Sequence, residues 1–136
     1  MKIGFVQALE NELNRLAKTG RYQIKFNKSG SEYRLSPEKS IILFRLCQEV
    51  LNNILKHSKA KTITTTLNFS DSFFELIISD DGVGFVLEPG SEESIQTEST
   101  GLLNIRKRAK LIDANIHIDS IPGTGTEVKI TVPRKS

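Results

Sequence analysis

The sequence predicts an α+β protein, a two-layer α/β sandwich in which one sheet of about five strands carries about three helices on one face. Three observations lead there. Five short stretches alternate apolar and polar residues, so each forms a strand with one apolar face. Three longer segments repeat apolar residues at spacings of three and four, the stripe of an amphipathic helix. The length of 136 residues suits one compact domain of ~100–200 residues, so sheet face and helix stripes must cover one another.

The first helix runs from about residue 4 to 18, where Val6, Leu9, Leu13 and Leu16 share a stripe, and ends at Thr19-Gly20. Tyr22, Ile24 and Phe26 alternate as a short strand, which Lys28-Ser-Gly-Ser31 is expected to break. Ser36 followed by Pro37 reads as an N-cap with proline at the first helical position, opening a helix to about Ser58. Its segment Ile41 to Leu55 is apolar on most sides, as in a largely buried helix. Ile63, Leu67 and Phe69, then Phe74, Leu76 and Ile78, form two strands joined by a Ser70-Asp-Ser72 turn.

From Val86 to Thr100 there are four glutamates and no lysine or arginine, with Pro89-Gly90 inside, which reads as a mobile loop. Leu102, Ile105, Ala109 and Ile112 restore helical spacing. Ile116 and Ile118, then Val128, Ile130 and Val132, form the last two strands around Pro122-Gly-Thr-Gly125.

Composition excludes several classes. Hydrophobic residues at 38% and charged residues at 26% are too apolar a mixture for a disordered chain. No apolar run approaches the ~20 residues that span a bilayer, and the N-terminus lacks a signal-peptide pattern. The single cysteine, Cys47, stands in an apolar run and reads as a core residue. A net charge of +3 without dense basic clusters points to a small phosphate ligand before nucleic acid.

Three motifs carry candidate chemistry. Asp80-Asp81-Gly82-Val83-Gly84 follows a strand directly: a carboxylate there can accept a hydrogen bond from a purine amine, and glycines let a ligand approach the backbone. The same string also reads as a plain turn, and an Asp-x-Gly-x-Gly arises by chance in roughly a few per cent of chains this long. On the long helix, Glu49, Asn53 and His57 recur every four residues, with Lys56 near them. They form a polar stripe that either meets solvent or serves a nucleotide: Glu to orient or deprotonate, Asn to hold a hard metal, Lys to meet phosphate. Helical geometry alone admits Asn52 as readily as Asn53. Thr100-Gly101-Leu102 opens a helix whose free N–H groups suit phosphate oxygens, while Gly123 and Gly125 read as hairpin glycines.

Taken in order, these pieces resemble the ATP-binding domain of sensor histidine kinases, the Bergerat fold of the superfamily shared with gyrase, Hsp90 and MutL, which implies that the sheet is mixed and mostly antiparallel. The resemblance covers roughly residues 40 to 133. It is nearest to kinases that pair with helix-turn-helix regulators of the nitrate/nitrite type: Gln48 to Ser58 looks like their N box, and Gly101 to Ala109 like their second glycine box. It implies that Asp80 reads the adenine amine and that Gly82 and Gly84 shape the pocket. Asn53 would hold Mg²⁺, Glu49 would be the base or polarising group, and Lys56 and His57 would lie near the phosphates. Gly101 and Leu102 would offer N–H groups to the phosphates, Thr126 would lie near them, and residues 86–100 would be the ATP lid, its glutamates facing outward.

The resemblance further implies one domain over residues 1–136, with residues 1–35 a linker helix and first strand. His57 and His117 are the only histidines and no phosphoacceptor helix precedes them, so the chain is expected to be part of a longer cytoplasmic or membrane-bound sensor. Its partners would be ATP, a dimerisation domain bearing the acceptor histidine, and a response regulator, with no direct nucleic-acid or membrane contact. The first helix is where an uncovered apolar face is expected. Two other functions fit parts of the pattern: an anti-sigma-factor-like protein-serine kinase, and a nucleotide-dependent docking module using Arg106, Lys107, Arg108 and Lys110. Those four also read as a solvated helix face.

Overall fold

The structure is a computed structural model that describes residues 4–57, 61–82, 99–121 and 125–134, with the backbone alone for 55–57, 99–103 and 121. The elements are α1 (Phe5–Lys18), β1 (Gln23–Ser29), α2 (Pro37–His57), β2 (Thr62–Phe69), β3 (Phe73–Asp80), α3 (Ser99–Leu111), β4 (Asn115–Ile121) and β5 (Gly125–Pro133). The strands form one sheet in the order β1-β2-β3-β5-β4, with β1 parallel to β2 and every other pair antiparallel. Among the described residues this is the expected mixed sandwich of five strands and three helices.

Alternation decides which sheet face is covered. Ile63, Thr65, Leu67 and Phe69 of β2, Phe74, Leu76, Ile78 and Asp80 of β3, and Thr126, Val128, Ile130 and Val132 of β5 are all buried. Their neighbours along each strand are more exposed, so one face meets the helices and the other meets solvent. The open face is polar, as in the row Ser29–Asn68–Glu75, where Asn68 Nδ2 donates to Glu75 Oε1 at 3.0 Å. His117 lies on this exposed side, its ring beside Asp119 at 3.1 Å.

The helices supply the other half of the core. Phe5, Leu9, Leu13 and Leu16 of α1 are buried in one cluster with Leu43, Leu46 and Val50 of α2 and Ile105 and Ala109 of α3. The expectation of an uncovered apolar face on the first helix is therefore corrected: that stripe is core, and burying a side chain such as Leu9 is worth ~1.5–3 kcal/mol. Cys47 is buried among them, and burial pushes its thiol well above the ordinary range, which keeps it unreactive.

Local chemistry fixes the element ends. The Ser36 Oγ accepts the Lys39 N–H at 3.2 Å and its carbonyl accepts the Ser40 N–H at 2.9 Å, the N-cap that the Ser-Pro pair predicts. The β2–β3 turn is closed by Ser70, whose N–H donates to the Phe73 carbonyl at 3.0 Å. Two boundaries differ from the sequence reading. β1 continues through Lys28 and Ser29 because they pair with Leu67 and Asn68 of β2, and it stops at Gly30, where φ is +83°. Ser99, read as loop, and Thr100, read as the opening of the helix, form the start of α3, in keeping with the preference of small hydroxyl residues for helix beginnings.

Thr65 is the one polar residue on the β2 core face, fully buried, and its Oγ1 has no hydrogen-bond partner among the described residues. An unmade bond of this kind costs about 1–3 kcal/mol. Thr65→Val, of equal shape, is therefore expected to leave stability unchanged or raise it by about 1 kcal/mol, read as the midpoint of urea unfolding. A lowered midpoint would mean that the hydroxyl has a partner after all.

Candidate functional site

The connections gather the candidate residues at one end of the sheet. β3 ends there at Asp80, opposite Ile63 near the start of β2 and Thr126 at the start of β5. α2 ends at His57 and β2 begins at Thr62, so the last turns of α2, with Asn53, Lys56 and His57, reach the same end. α3 runs the other way, since Leu111 leads into β4 at Asn115, whose partner Thr131 lies toward the far end of β5. The N-terminus of α3 therefore sits at the Asp80 end too.

Asp80 occupies a core-facing position and is only 9% exposed. Its Oδ1 accepts the N–H of Gly82 at 2.7 Å, which bends the chain back and holds the carboxylate toward the helix layer. Thr126 lies directly across from it, also core-facing and buried, with its hydroxyl 2.9 Å from that of Ser120. The register thus sets a carboxylate beside a hydroxyl in an enclosed corner, a donor–acceptor pair suited to the edge of a purine.

Gly125 makes this corner possible. Its φ is +129°, and a Cβ built on it would lie 2.0 Å from the Asp80 carbonyl oxygen. Only a residue without a side chain lets β5 approach the end of β3 this closely. The sequence offered Gly125 as a hairpin glycine; the sheet gives it a larger task.

Asp81 has a different role from its neighbour. Its side chain is exposed, and its Oδ1 accepts the backbone N–H groups of Thr62 and Lys61, each at 2.9 Å. These two donors, Thr62 first, hold its carboxyl below the usual carboxylate range. A depressed folded value means that Asp81 adds stability above the ordinary carboxylate pKa of ~3.9 and loses it as pH falls through the lowered value. The gap in melting temperature between the wild type and Asp81→Asn is therefore expected to be present at pH 7 and to close in the acid range. A gap that persists at the lowest pH would assign the clamp to shape and not to charge.

On α2, Glu49 and Asn53 are both half-buried while Asn52 is exposed. Leu51 lines the same surface pocket as Leu16 of α1, and Asn53, two residues on, lies about 200° around the helix from it. That favours Asn53 over Asn52 as the residue facing the enclosed end. Glu49 is on the outer surface with Asn52, lining a pocket that also contains Arg108 of α3. On α3, Gly101 and Leu102 are the third and fourth residues, so their N–H groups belong to the four that lack a partner within the helix.

The side chains of Lys56 and His57, Gly84, and the expected lid from Val86 to Glu98 lie outside the described residues. The four basic residues of α3 do not act as one face: Arg106, Lys107 and Lys110 are exposed, whereas Arg108 turns toward α2. The significance of Arg108 and Thr126 was not legible from spacing, because both depend on which neighbour the fold brings alongside.

Known proteins bear on this arrangement. Residues 38–136 match the family model described as histidine kinase-, DNA gyrase B- and HSP90-like ATPase. The chain is 38% identical over 116 residues to the signal transduction histidine-protein kinase/phosphatase DegS of Bacillus subtilis, covering 84% of this chain and 30% of DegS. It is likewise 38% identical over 91 residues to the sensor protein VraS of Staphylococcus aureus, covering 67% and 25%. A sensor-like histidine kinase of Chloroflexus aurantiacus is 38% identical over 136 residues, 98% of this chain and 23% of that protein. The chain thus spans about a quarter of the length of these curated relatives. Among solved structures, the fold matches the histidine kinase domain of a blue-light activated kinase from Erythrobacter litoralis, with a TM-score of 0.73 at 22% identity over 97% of this chain and 66% of that one. It also matches the Acinetobacter baumannii histidine kinase AdeS, with a TM-score of 0.77 at 12% identity over 98% and 66%.

Proposed function

Because this chain belongs to the histidine kinase-, DNA gyrase B- and HSP90-like ATPase family, we propose that it is the ATP-binding catalytic domain of a two-component sensor histidine kinase. It works in the cytoplasm, and its phosphoryl group goes to a histidine on a separate dimerisation domain and from there to a response regulator with a helix-turn-helix output. The observation that carries this reading is the buried carboxylate of Asp80 at the sheet end, beside Gly82 and opposite Thr126.

Each residue then has a physical task. Asp80 accepts a hydrogen bond from the adenine amine, and Thr126, expected near the phosphates, lies directly opposite Asp80 and so offers its hydroxyl to the adenine edge instead. Gly82 and Gly84 leave room for the base. The free N–H groups of Gly101 and Leu102, at the positive end of the α3 dipole, receive phosphate oxygens. Lys56 and His57 meet the phosphates from the end of α2. The carboxamide of Asn53 is a hard oxygen donor on the enclosed side of α2, which fits Mg²⁺, an ion that usually takes one or two protein ligands and fills its shell with phosphate and water. When bound, Mg²⁺ neutralises charge on the β- and γ-phosphates.

The acceptor imidazole nitrogen attacks the γ-phosphorus as the bond to the β–γ bridging oxygen breaks, and ADP leaves. Glu49 orients the imidazole and takes its proton. Such transfer depends on in-line positioning and charge neutralisation more than on covalent help. The segment 86–98, ahead of α3, would be the ATP lid that the resemblance implies.

Calorimetric titration with ATP, with and without Mg²⁺ and with GTP as control, tests the reading. ATP should bind selectively, since guanine would turn a carbonyl toward Asp80. Absence of ATP binding in both conditions would sink it. Asn53→Ala is expected to abolish the Mg²⁺ dependence of ATP binding while Asn52→Ala leaves it intact; the reverse order would assign the ligand to Asn52.

A further inference from the structure

Ser120 of β4 is the register partner of Thr126 of β5, as Thr126 is of Asp80 in β3. Alternation along β4 puts Ser120 on the helix side of the sheet, half-buried like Ile116 and Ile118, while His117 and Asp119 are exposed on the other side. One row on the helix side therefore runs Ser120–Thr126–Asp80 across three strands. The two hydroxyls in it lie 2.9 Å apart, and Thr126 is buried. The nucleotide reading uses Asp80 and Thr126 and leaves Ser120 without a task.

Each hydroxyl has one hydrogen to donate and an oxygen that accepts. The adenine edge presents an amine, which donates, beside the ring nitrogen N1, which accepts. An ionised Asp80 only accepts and suits the amine, so N1 needs a donor. Thr126 is that donor when its hydrogen points away from Ser120, and the 2.9 Å contact is then made by the hydrogen of Ser120. In the opposite sense Thr126 spends its hydrogen on Ser120 and turns a lone pair toward N1, which sets two acceptors face to face. Adenine thus selects one sense for the pair: Ser120 donates to Thr126, and Thr126 donates to N1. Bonds in such a chain polarise one another, and the enclosed corner strengthens each of them.

We propose that Ser120 is a positioning residue of the nucleotide site, whose hydroxyl donates to Thr126 and so sets Thr126 as the donor to adenine N1. The proposal rests on the ATP reading and deepens it: the base is read by a row of three side chains on three strands, and not by Asp80 alone. Ser120 acts through Thr126, so its effect is confined to nucleotides whose base carries an acceptor at N1.

The test is calorimetric titration of this chain and its Ser120 variants, at equal Mg²⁺, with ATP and with 1-deaza-ATP, in which a C–H group replaces N1 and the amine is kept. The wild type should bind 1-deaza-ATP about 10-fold more weakly than ATP, as expected for loss of one buried hydrogen bond. Ser120→Ala should weaken ATP by about 3- to 10-fold and leave 1-deaza-ATP unchanged, so that the preference between the two collapses. Ser120→Thr, which keeps the hydroxyl, should behave as the wild type, and Ser120→Cys, near in size but a weak donor, should fall between serine and alanine. Thermal melting checks that each variant is folded, and a purely structural role would lower both affinities together. Equal affinities of the wild type for the two nucleotides would overturn the role of Ser120 while leaving ATP binding in place. So would a folded Ser120→Ala or Ser120→Cys that keeps the full wild-type preference or weakens both nucleotides equally. A wild type that binds neither nucleotide would overturn the proposal together with the ATP reading.

Discussion

Asp80→Asn is expected to weaken ATP binding about 10- to 100-fold, because it removes one charge-assisted hydrogen bond worth ~1.5–3 kcal/mol. Asparagine retains an oxygen for the Gly82 N–H, which Asp80 Oδ1 now accepts at 2.7 Å, so the turn is preserved. The loss should therefore appear in affinity and not in melting temperature, and discrimination between ATP and GTP should shrink with it. Calorimetry on the wild type and the variant at equal Mg²⁺ gives the comparison. Equal affinities would remove Asp80 from base recognition.

Gly125→Ala should be strongly damaging to both fold and site. The added Cβ would stand 2.0 Å from the Asp80 carbonyl oxygen, and the φ of +129° is one that an alanine adopts only under strain. Since the clash is with backbone and not with a flexible side chain, β5 must move away from β3 at the point where Asp80 and Thr126 are paired. A destabilisation of about 2–4 kcal/mol follows, lowering the melting temperature by roughly 10 °C. ATP affinity should fall as well, even at temperatures where the variant remains folded, because Asp80 is displaced. A variant with normal melting and normal binding would show that this end of the sheet can relax around the methyl group.

The two variants separate site from scaffold. Asp80→Asn alters chemistry and leaves the geometry, whereas Gly125→Ala alters geometry and leaves every functional group in place.

Much of this arrangement was open to a reader of the chain. Alternation along β2, β3 and β5 marked which side chains face the helices, and Ser36-Pro37 marked where α2 begins, because period-two burial and helix capping are local rules carried by neighbouring residues. Asp80 and Gly82 stood out because a carboxylate and a glycine after a strand form a short-range motif. The stripe of Glu49 and Asn53 followed from helical spacing, but spacing alone left Asn52 as an equal candidate. Exposure separates them, since the side of α2 that is enclosed depends on where α1 and α3 lie.

What the sequence determined by itself is the set of elements, their apolar faces and the short motifs at their ends, all of which depend on residues within a few positions of one another. The tertiary structure alone decided the rest. It paired Thr126 with Asp80, which are 46 positions apart in the chain but directly opposed across β3 and β5. It turned Gly125 into a contact against the Asp80 carbonyl, and it carried Arg108 away from the other basic residues of α3 into a pocket with Arg45. Strand register and helix packing are set by burying the whole apolar surface at once, a global condition that no local stretch of sequence states.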